Sequence, residues 1–239
     1  MILRLSKAII KHKDQSATGT YHFGIFKYRH YETSSCRVSV QYKTVSYRCS
    51  LRKERPAEGE QNLNTIIEAM KQRRSIRKFK PDMPSRKDIE AVAEAGIYAA
   101  NGRGKQETIT LVVTDKALRD RISRVNCSIG GWDSSFDPFY GAPVILIVLA
   151  NKNHTTHVYD GSLVMGNMML AAHSLGLGSI WIHRAREEFE MPEYRQLLKD
   201  LGIEGEWEGI AHCALGYADG DIPKAAPRKE GRIRWIEAV

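Results

Sequence analysis

From residue 63 onward the apolar positions fall into short stretches with two distinct periods. Ile66, Ile67 and Met70 share one face of a short helix ending at Arg73–Arg74. Pro81 and Pro84 break the chain, and Ser85 with Asp88 three residues later approximates a capping box. Ile89, Val92 and Ala93 follow at helical spacing. Residues 109–113 read as a strand, and residues 115–125 as a helix with Leu118, Ile122 and Val125 inward. Residues 144–149 are continuously apolar, the composition of a strand covered on both faces. Residues 160–175 form a helix with very little charge, which suits burial on most sides or at a subunit interface. Its methionines read as core packing rather than a redox or metal site. Residues 179–182 and 212–216 are short strands, and residues 192–201 a helix with Pro192 in its first turn. Strands alternating with helices indicate a layered α/β or α+β domain.

The first 62 residues lack this regularity. They mix Lys and Arg with scattered Tyr, Phe and His, and only residues 36–47 suggest a strand. Residues 52–61 are polar, with Pro56 and Gly59, and read as a linker. The division expected is therefore 1–62, a basic extension without a regular pattern, and 63–239, a folded domain.

Charge sharpens that division. Of the formal net charge of +8, residues 1–62 carry most, with 12 Lys+Arg against 5 Asp+Glu. The remainder is balanced, which argues against a uniformly basic nucleic-acid-binding body. Three readings stand open for the extension: a targeting segment, a basic arm for nucleic acid or membrane, or an upstream extension without function. At 239 residues, 42% hydrophobic and 27% charged, the chain has ordinary globular composition. Its longest apolar run, residues 142–150, is far short of the roughly 20 residues of a membrane helix. Four dispersed cysteines, Cys36, Cys49, Cys127 and Cys213, suggest neither zinc nor a disulfide framework, and a cytoplasmic location is expected.

Chemistry concentrates in Arg73-Arg74-Ser75-Ile76-Arg77-Lys78-Phe79. Forked guanidinium groups with a small hydroxyl suit a phosphate dianion. A solvated basic face at a helix C-terminus would have the same composition, and composition alone favours that second reading. Pro227-Arg228-Lys229 is a second basic cluster that a fold can bring to the same anion. The loops at residues 101–106 and 176–179 are glycine-bearing and could offer backbone N–H groups to a flat ligand, or be plain turns. Neither is a dinucleotide fingerprint. His157, His173, His183 and His212 have no metal-binding spacing, and no metal is expected.

Taken in order, these motifs resemble the nitroreductase family of FMN enzymes. The arginine/serine stretch after a short helix carries the resemblance, together with Tyr98 to Gln106, Asp137-Pro138-Phe139-Tyr140-Gly141-Ala142-Pro143, Asp160-Gly161-Ser162, Leu175-Gly176-Leu177-Gly178-Ser179 and Gly216-Tyr217-Ala218 to Arg228. It covers residues 63–236. The resemblance implies an α+β three-layer fold, a central mixed sheet flanked by helices, and a homodimer with FMN at the subunit interface. Carried over residue by residue, Arg73 and Ser75 would contact the phosphate region, with Arg74 adding side chain or backbone. Arg77 would reach the pyrimidine side of the flavin, and Arg228 would complete the phosphate clamp. Gly178 and Ser179 would lie beside the isoalloxazine. Ala100, Asn101, Gly102 and Gln106 occupy the loop that reaches the flavin from the partner. There Ala100, Asn101 and Gly104 depart from the family's proline, serine and asparagine, while Gln106 is kept.

The function implied is ping-pong transfer of hydride from NADH or NADPH through FMN to a nitroaromatic, quinone or related small acceptor. The chemistry would be the flavin's, so no catalytic side chain is expected. Other readings are a family variant performing dehydrogenation or dehalogenation, or a flavin-binding or nucleic-acid-associated protein using residues 1–62. Nucleic acid and membrane partners are not expected of the flavin reading. Leu63-Asn64-Thr65-Ile66 also resembles the start of shorter family members, so Leu63 is expected to mark an alternative start.

Overall fold

The computed structural model describes residues 21–23, 38–41, 44–47 and 65–237. The chain separates into two compact units, Met1–Asn62 and Leu63–Val239. In the first, β1 (Tyr21–Phe23), β2 (Val38–Gln41) and β3 (Thr44–Tyr47) form an antiparallel sheet in the order β1-β3-β2. Where one strand was expected over residues 36–47, two pair antiparallel, with Gln41 opposite Thr44 at the end of their ladder. The linker expected at residues 52–61 lies outside the described residues, as does most of the basic extension.

The second unit is built on four strands: β4 (Thr108–Val113), β5 (Val144–Asn151), β6 (Gly178–Ile182) and β7 (Trp207–Gly216). Their order is β4-β5-β7-β6, and every pairing is antiparallel. The mixed character expected of the sheet is thus confined, among the described residues, to one parallel bridge between Ser75 and Ser179. The α+β class stands. Six helices accompany the sheet: α1 (Thr65–Gln72), α2 (Arg86–Ile97), α3 (Lys116–Ile129), α4 (His157–Ser174), α5 (Ala185–Glu190) and α6 (Pro192–Asp200).

Central β5 is buried over Val144–Ala150 because both its faces are covered. Ile145, Ile147 and Leu149 pack with Ile122, Phe189, Tyr194 and Leu198 on the α3, α5 and α6 side. The alternate residues Val144, Leu146 and Val148 pack with Val92, Val164, Met165 and Met168 on the α2 and α4 side. Period-two alternation of a wholly apolar strand therefore feeds two cores, and three layers result. The cap read from sequence is present, with Ser85 Oγ accepting from Asp88 N at 3.1 Å; a second, not read there, is the Asp115 carboxylate, which accepts from Leu118 N at 2.7 Å.

Some elements were not legible. Helix α5 is six residues long and carries four charges, too short for periodicity to register. Strand β7 begins at Trp207, five residues before the expected start. A register shift near Val148/Leu149 and Gly209 obscures the alternation there. Gly209 is required at that point, since a Cβ would lie 2.1 Å from the Ala185 carbonyl oxygen. Among the described residues, no helix is long and apolar enough to cross a membrane.

Candidate functional site

The Arg73–Lys80 segment is laid along the sheet by two apolar anchors. Ile76 and Phe79 are both buried in the core on the α3 side. Backbone bonds fix the rest: Ile76 N donates to Ser179 O at 3.1 Å, Phe79 N to Tyr140 O at 3.2 Å, and Lys80 N to Tyr217 O at 2.9 Å. With the anchors inside, Arg73, Arg74, Ser75 and Arg77 are left toward the outside of the edge strand. The basic stretch is thus an extended clasp over β6, joined to the chain after β7.

A cleft of about 170 Å³ opens beside this clasp. Arg73, Arg74, Gly178 and Ser179 line it, with His173, Gly176 and Leu177 from the end of α4 and Ala218 and Ile222 beyond β7. Helix α4 ends in a Schellman turn: Gly176 N donates to His173 O at 3.0 Å, and Leu177 N to Ala172 O at 2.8 Å. Gly176 has φ +74°, the left-handed value this cap needs. Gly178 has no room for a side chain, because a Cβ would sit 2.8 Å from Ile76 Cγ1.

The electrostatics of this cleft are one-sided. Arg73 Nη1, Arg74 Nε and Ser179 Oγ are buried without a hydrogen-bond partner. Unpaired buried donors are costly, so three of them around one cleft mark a place built for an acceptor-rich ligand. Burial pushes the thiol of Cys213, beneath on β7, up to about 12 against the opposing pull of the Arg73 cation. The thiol is neutral, and the Arg73 charge is left for a ligand.

The other expected phosphate contacts are distributed differently. Arg74 Nη1 donates to Lys71 O at 2.6 Å and to Arg73 O at 2.7 Å, so this guanidinium closes the end of α1. Arg74 is in large part a helix cap. Ser75 is half-buried at the bridge to Ser179. Arg77 and Arg228 are exposed, and neither lines the cleft.

The loop containing Ala100, Asn101, Gly102 and Gln106 lies elsewhere. Asn101 and Gln106 line a second cleft of about 140 Å³, with Ile97, Ala99, Thr108 and Val164. Asn101 Oδ1 accepts from Gln106 N at 2.9 Å, and a 3-10 turn spans Gly102–Gly104. Arg103 and Gln106 both have φ of 55°, a left-handed strain that needs outside support. Ala100 is exposed and does not line this second cleft. The described residues thus carry two separate clefts, one with cations and one with amides.

Sequence reasoning gave no role to His173, which faces the first cleft, nor to Asp160, 3% exposed, whose Oδ1 accepts from Gly102 N at 3.1 Å. A visible signal for Asp160 was a lone acid in the first turn of a nearly uncharged helix. Two buried polar hubs were also missed. Asp137 accepts from Ser123 Oγ, Phe139 N, Gly141 N and the Arg119 guanidinium. Glu188 Oε2 is 2.8 Å from His212 Nε2 while Glu188 Oε1 accepts from Asn126 Nδ2 at 2.7 Å, with Glu188, His212 and Asn126 all fully buried. The one-face spacing of Arg119, Ser123 and Asn126 on α3 was the available clue.

An α+β sheet clasped at its edge by an arginine/serine segment, with a cation-lined cleft between them, is the architecture of a flavoenzyme family. The family model for the nitroreductase family matches residues 70–128 and 131–217, and the chain belongs to that family. A nitroreductase with bound FMN from Bacteroides fragilis is 28% identical with a TM-score of 0.65, covering 73% of this chain and all of that one. An iodotyrosine deiodinase from Thermotoga neapolitana is 25% identical over 192 residues, 72% of this chain and 98% of that protein. An NADPH-dependent oxidoreductase from Staphylococcus epidermidis is 25% identical over 150 residues, 54% of this chain and 60% of that protein.

Proposed function

We propose that this chain is an FMN-dependent oxidoreductase that works as a homodimer, taking hydride from NADH or NADPH and reducing a small nitroaromatic or quinone acceptor. The observation that carries the reading is the unpartnered set Arg73 Nη1, Arg74 Nε and Ser179 Oγ around one cleft. These donors fit FMN, whose phosphate dianion and carbonyl-rich ring need cationic and hydroxyl partners. FMN held by these residues would supply the hydride-transfer chemistry.

The chain's own groups bind and orient. Arg73 and Ser75 hold the phosphate region, while Gly178 presents side-chain-free backbone to the ring and Ser179 lies beside it. Arg77 supplies positive charge near the pyrimidine edge, where charge develops on reduction. The partner's second cleft brings Asn101, Gly102 and Gln106 with Ala100 alongside, and Arg228 is added through the segment after β7.

Two kinds of observation support the dimer. The two half-sites are complementary but separate in one protomer. Large apolar side chains also stay uncovered: Met70 on α1, Tyr98 after α2, Tyr159 and Leu163 on α4, and Ile233, Trp235 and Ile236 in the last segment, with Trp235 85% exposed. Exposed apolar area on this scale marks an interface. A cytoplasmic location accompanies the reading, with Cys127 and Cys213 as buried free thiols.

Dehalogenation of a halogenated phenol is a second reading. It is favoured by the deiodinase relative matched across 98% of its length. Purification, flavin identification and steady-state NADH and NADPH oxidation with nitroaromatic, quinone and iodotyrosine acceptors test both. A colourless protein that takes up no FMN refutes the proposal, and turnover restricted to iodotyrosine favours the second reading.

A further inference from the structure

The loop at residues 101–106 is short, strained and polar, yet it is held in one shape by a carboxylate 58 residues further along the chain. Asp160 sits in the first turn of α4 and is 3% exposed. Its Oδ1 accepts from Gly102 N at 3.1 Å, and its Oδ2 accepts from Thr156 Oγ1 at 3.0 Å. His154 Nε2 lies 3.5 Å from the same Oδ2. Gly102 is pressed against this group: a Cβ there would meet Thr156 Oγ1 at 2.2 Å and His154 Nε2 at 2.7 Å. Beyond Gly102 the backbone takes φ 55° at Arg103, 64° at Gly104 and 55° at Gln106.

Left-handed conformations at two non-glycine residues are unfavourable and persist only where the surroundings over-determine them. Backbone bonds from Gly104 N to Asn101 O and from Lys105 N to Gly102 O shape the turn, and two side-chain oxygens accept from its backbone as well. Asn101 Oδ1 closes the loop on itself through Gln106 N, and the Asp160 carboxylate ties the loop to the body of the protein. The second is a charge-assisted hydrogen bond to a buried acceptor, the strong kind. An acid at this place also favours the N-terminus of α4, a purely structural role that the experiment below separates.

We infer that Asp160 is the positioning residue of the flavin site's second half, fixing through Gly102 the shape in which Asn101 and Gln106 are offered across the subunit interface. The inference rests on the reading that this loop meets FMN. Thr156 and His154 form the wall that admits only glycine at position 102.

The test uses the full-length protein and three variants: Asp160→Ala, Asp160→Asn and Gly102→Ala. Amide hydrogen exchange at residues 102–106 is read first, in the FMN-free protein. Asp160→Ala should speed exchange there by about tenfold or more, the equivalent of one such hydrogen bond, while protection in β5 and β7 is kept. FMN titration should then show affinity weakened by a similar factor. Asp160→Asn retains an oxygen to accept from Gly102 N and should recover most of both losses. Gly102→Ala displaces the loop without touching the carboxylate, and should reproduce the loss of FMN affinity even where Asp160→Ala does not fold. Unchanged loop exchange in Asp160→Ala overturns the inference. So does an Asp160→Asn protein as impaired as the alanine variant, or a Gly102→Ala protein that binds FMN normally. A wild-type protein that binds no FMN refutes the functional reading instead, and the exchange data still decide whether Asp160 holds the loop.

Discussion

Replacing Arg73 by alanine removes a guanidinium whose Nη1 has no partner within the protomer and which lines the first cleft. No hydrogen bond inside the fold is lost with that nitrogen, so its cost should fall on ligand binding. A hydrogen bond involving a charged group contributes about 1.5–3 kcal/mol, which is roughly a 10- to 150-fold loss of FMN affinity. Arg74, one residue on, gives the contrast. Its Nη1 is committed to Lys71 O and Arg73 O at the end of α1, so Arg74→Ala should lower stability by about 0.5–1.5 kcal/mol and weaken FMN binding less. The assay is quenching of flavin fluorescence on titrating FMN-free protein, run in parallel with riboflavin, which lacks the phosphate. If Arg73 holds the phosphate, the wild-type and Arg73→Ala proteins differ for FMN and converge for riboflavin. Equal losses for both ligands, or an FMN dissociation constant unmoved by Arg73→Ala, would falsify the phosphate assignment.

Further expectations follow from other parts of the structure. Burial would raise the Asp137 carboxyl, but hydrogen bonds from Arg119, Ser123 and Gly141 with the Arg119 charge outweigh it and hold it below its ordinary value of 3.8. Its contribution to stability is therefore complete above the ordinary carboxylate range and is lost as pH falls toward the folded value. Asp137→Ala should remove that acid-side dependence from urea midpoints and cost about 1–3 kcal/mol, since Arg119 loses one carboxylate but keeps Asp120 Oδ1 and Ala142 O; a pH profile parallel to wild type refutes this. Glu188→Ala should cost on the order of 2–5 kcal/mol by calorimetry, leaving His212 Nε2 unpaired in a fully buried site, while a change under about 1 kcal/mol counts against the hub. Arg77→Gln should lower the midpoint potential of bound FMN by tens of millivolts, where about 30 mV corresponds to 1.4 kcal/mol for two electrons, and an unmoved potential in a spectroelectrochemical titration removes that role. A chain starting at residue 63 should fold and retain FMN, and its insolubility beside a well-behaved full chain would make residues 1–62 structural.

Wherever a physical signal is local, the sequence carried it. The wholly apolar run of β5 announced a strand covered on both faces, and its alternate side chains do fill two cores. Ser85 marked a helix start because a cap is a bond between neighbours in the chain. The motif from Arg73 to Phe79 was visible as chemistry, whereas the anchoring role of Ile76 and Phe79 was not.

What tertiary structure alone decided is which of those groups meet and which are already used. Arg73 and Arg74 are identical by composition, yet Arg73 keeps its Nη1 without a partner while Arg74 spends its Nη1 on the end of a helix and leaves its Nε unpartnered. Asn126, Glu188 and His212 read as ordinary polar residues and are buried together, because a hydrogen bond across 24 or more positions leaves no trace in periodicity. The same holds for the hold of Asp160 on Gly102. Hydrophobic burial follows a repeating pattern along the chain, whereas a buried polar pair is specified by two positions whose separation depends on every element folded between them.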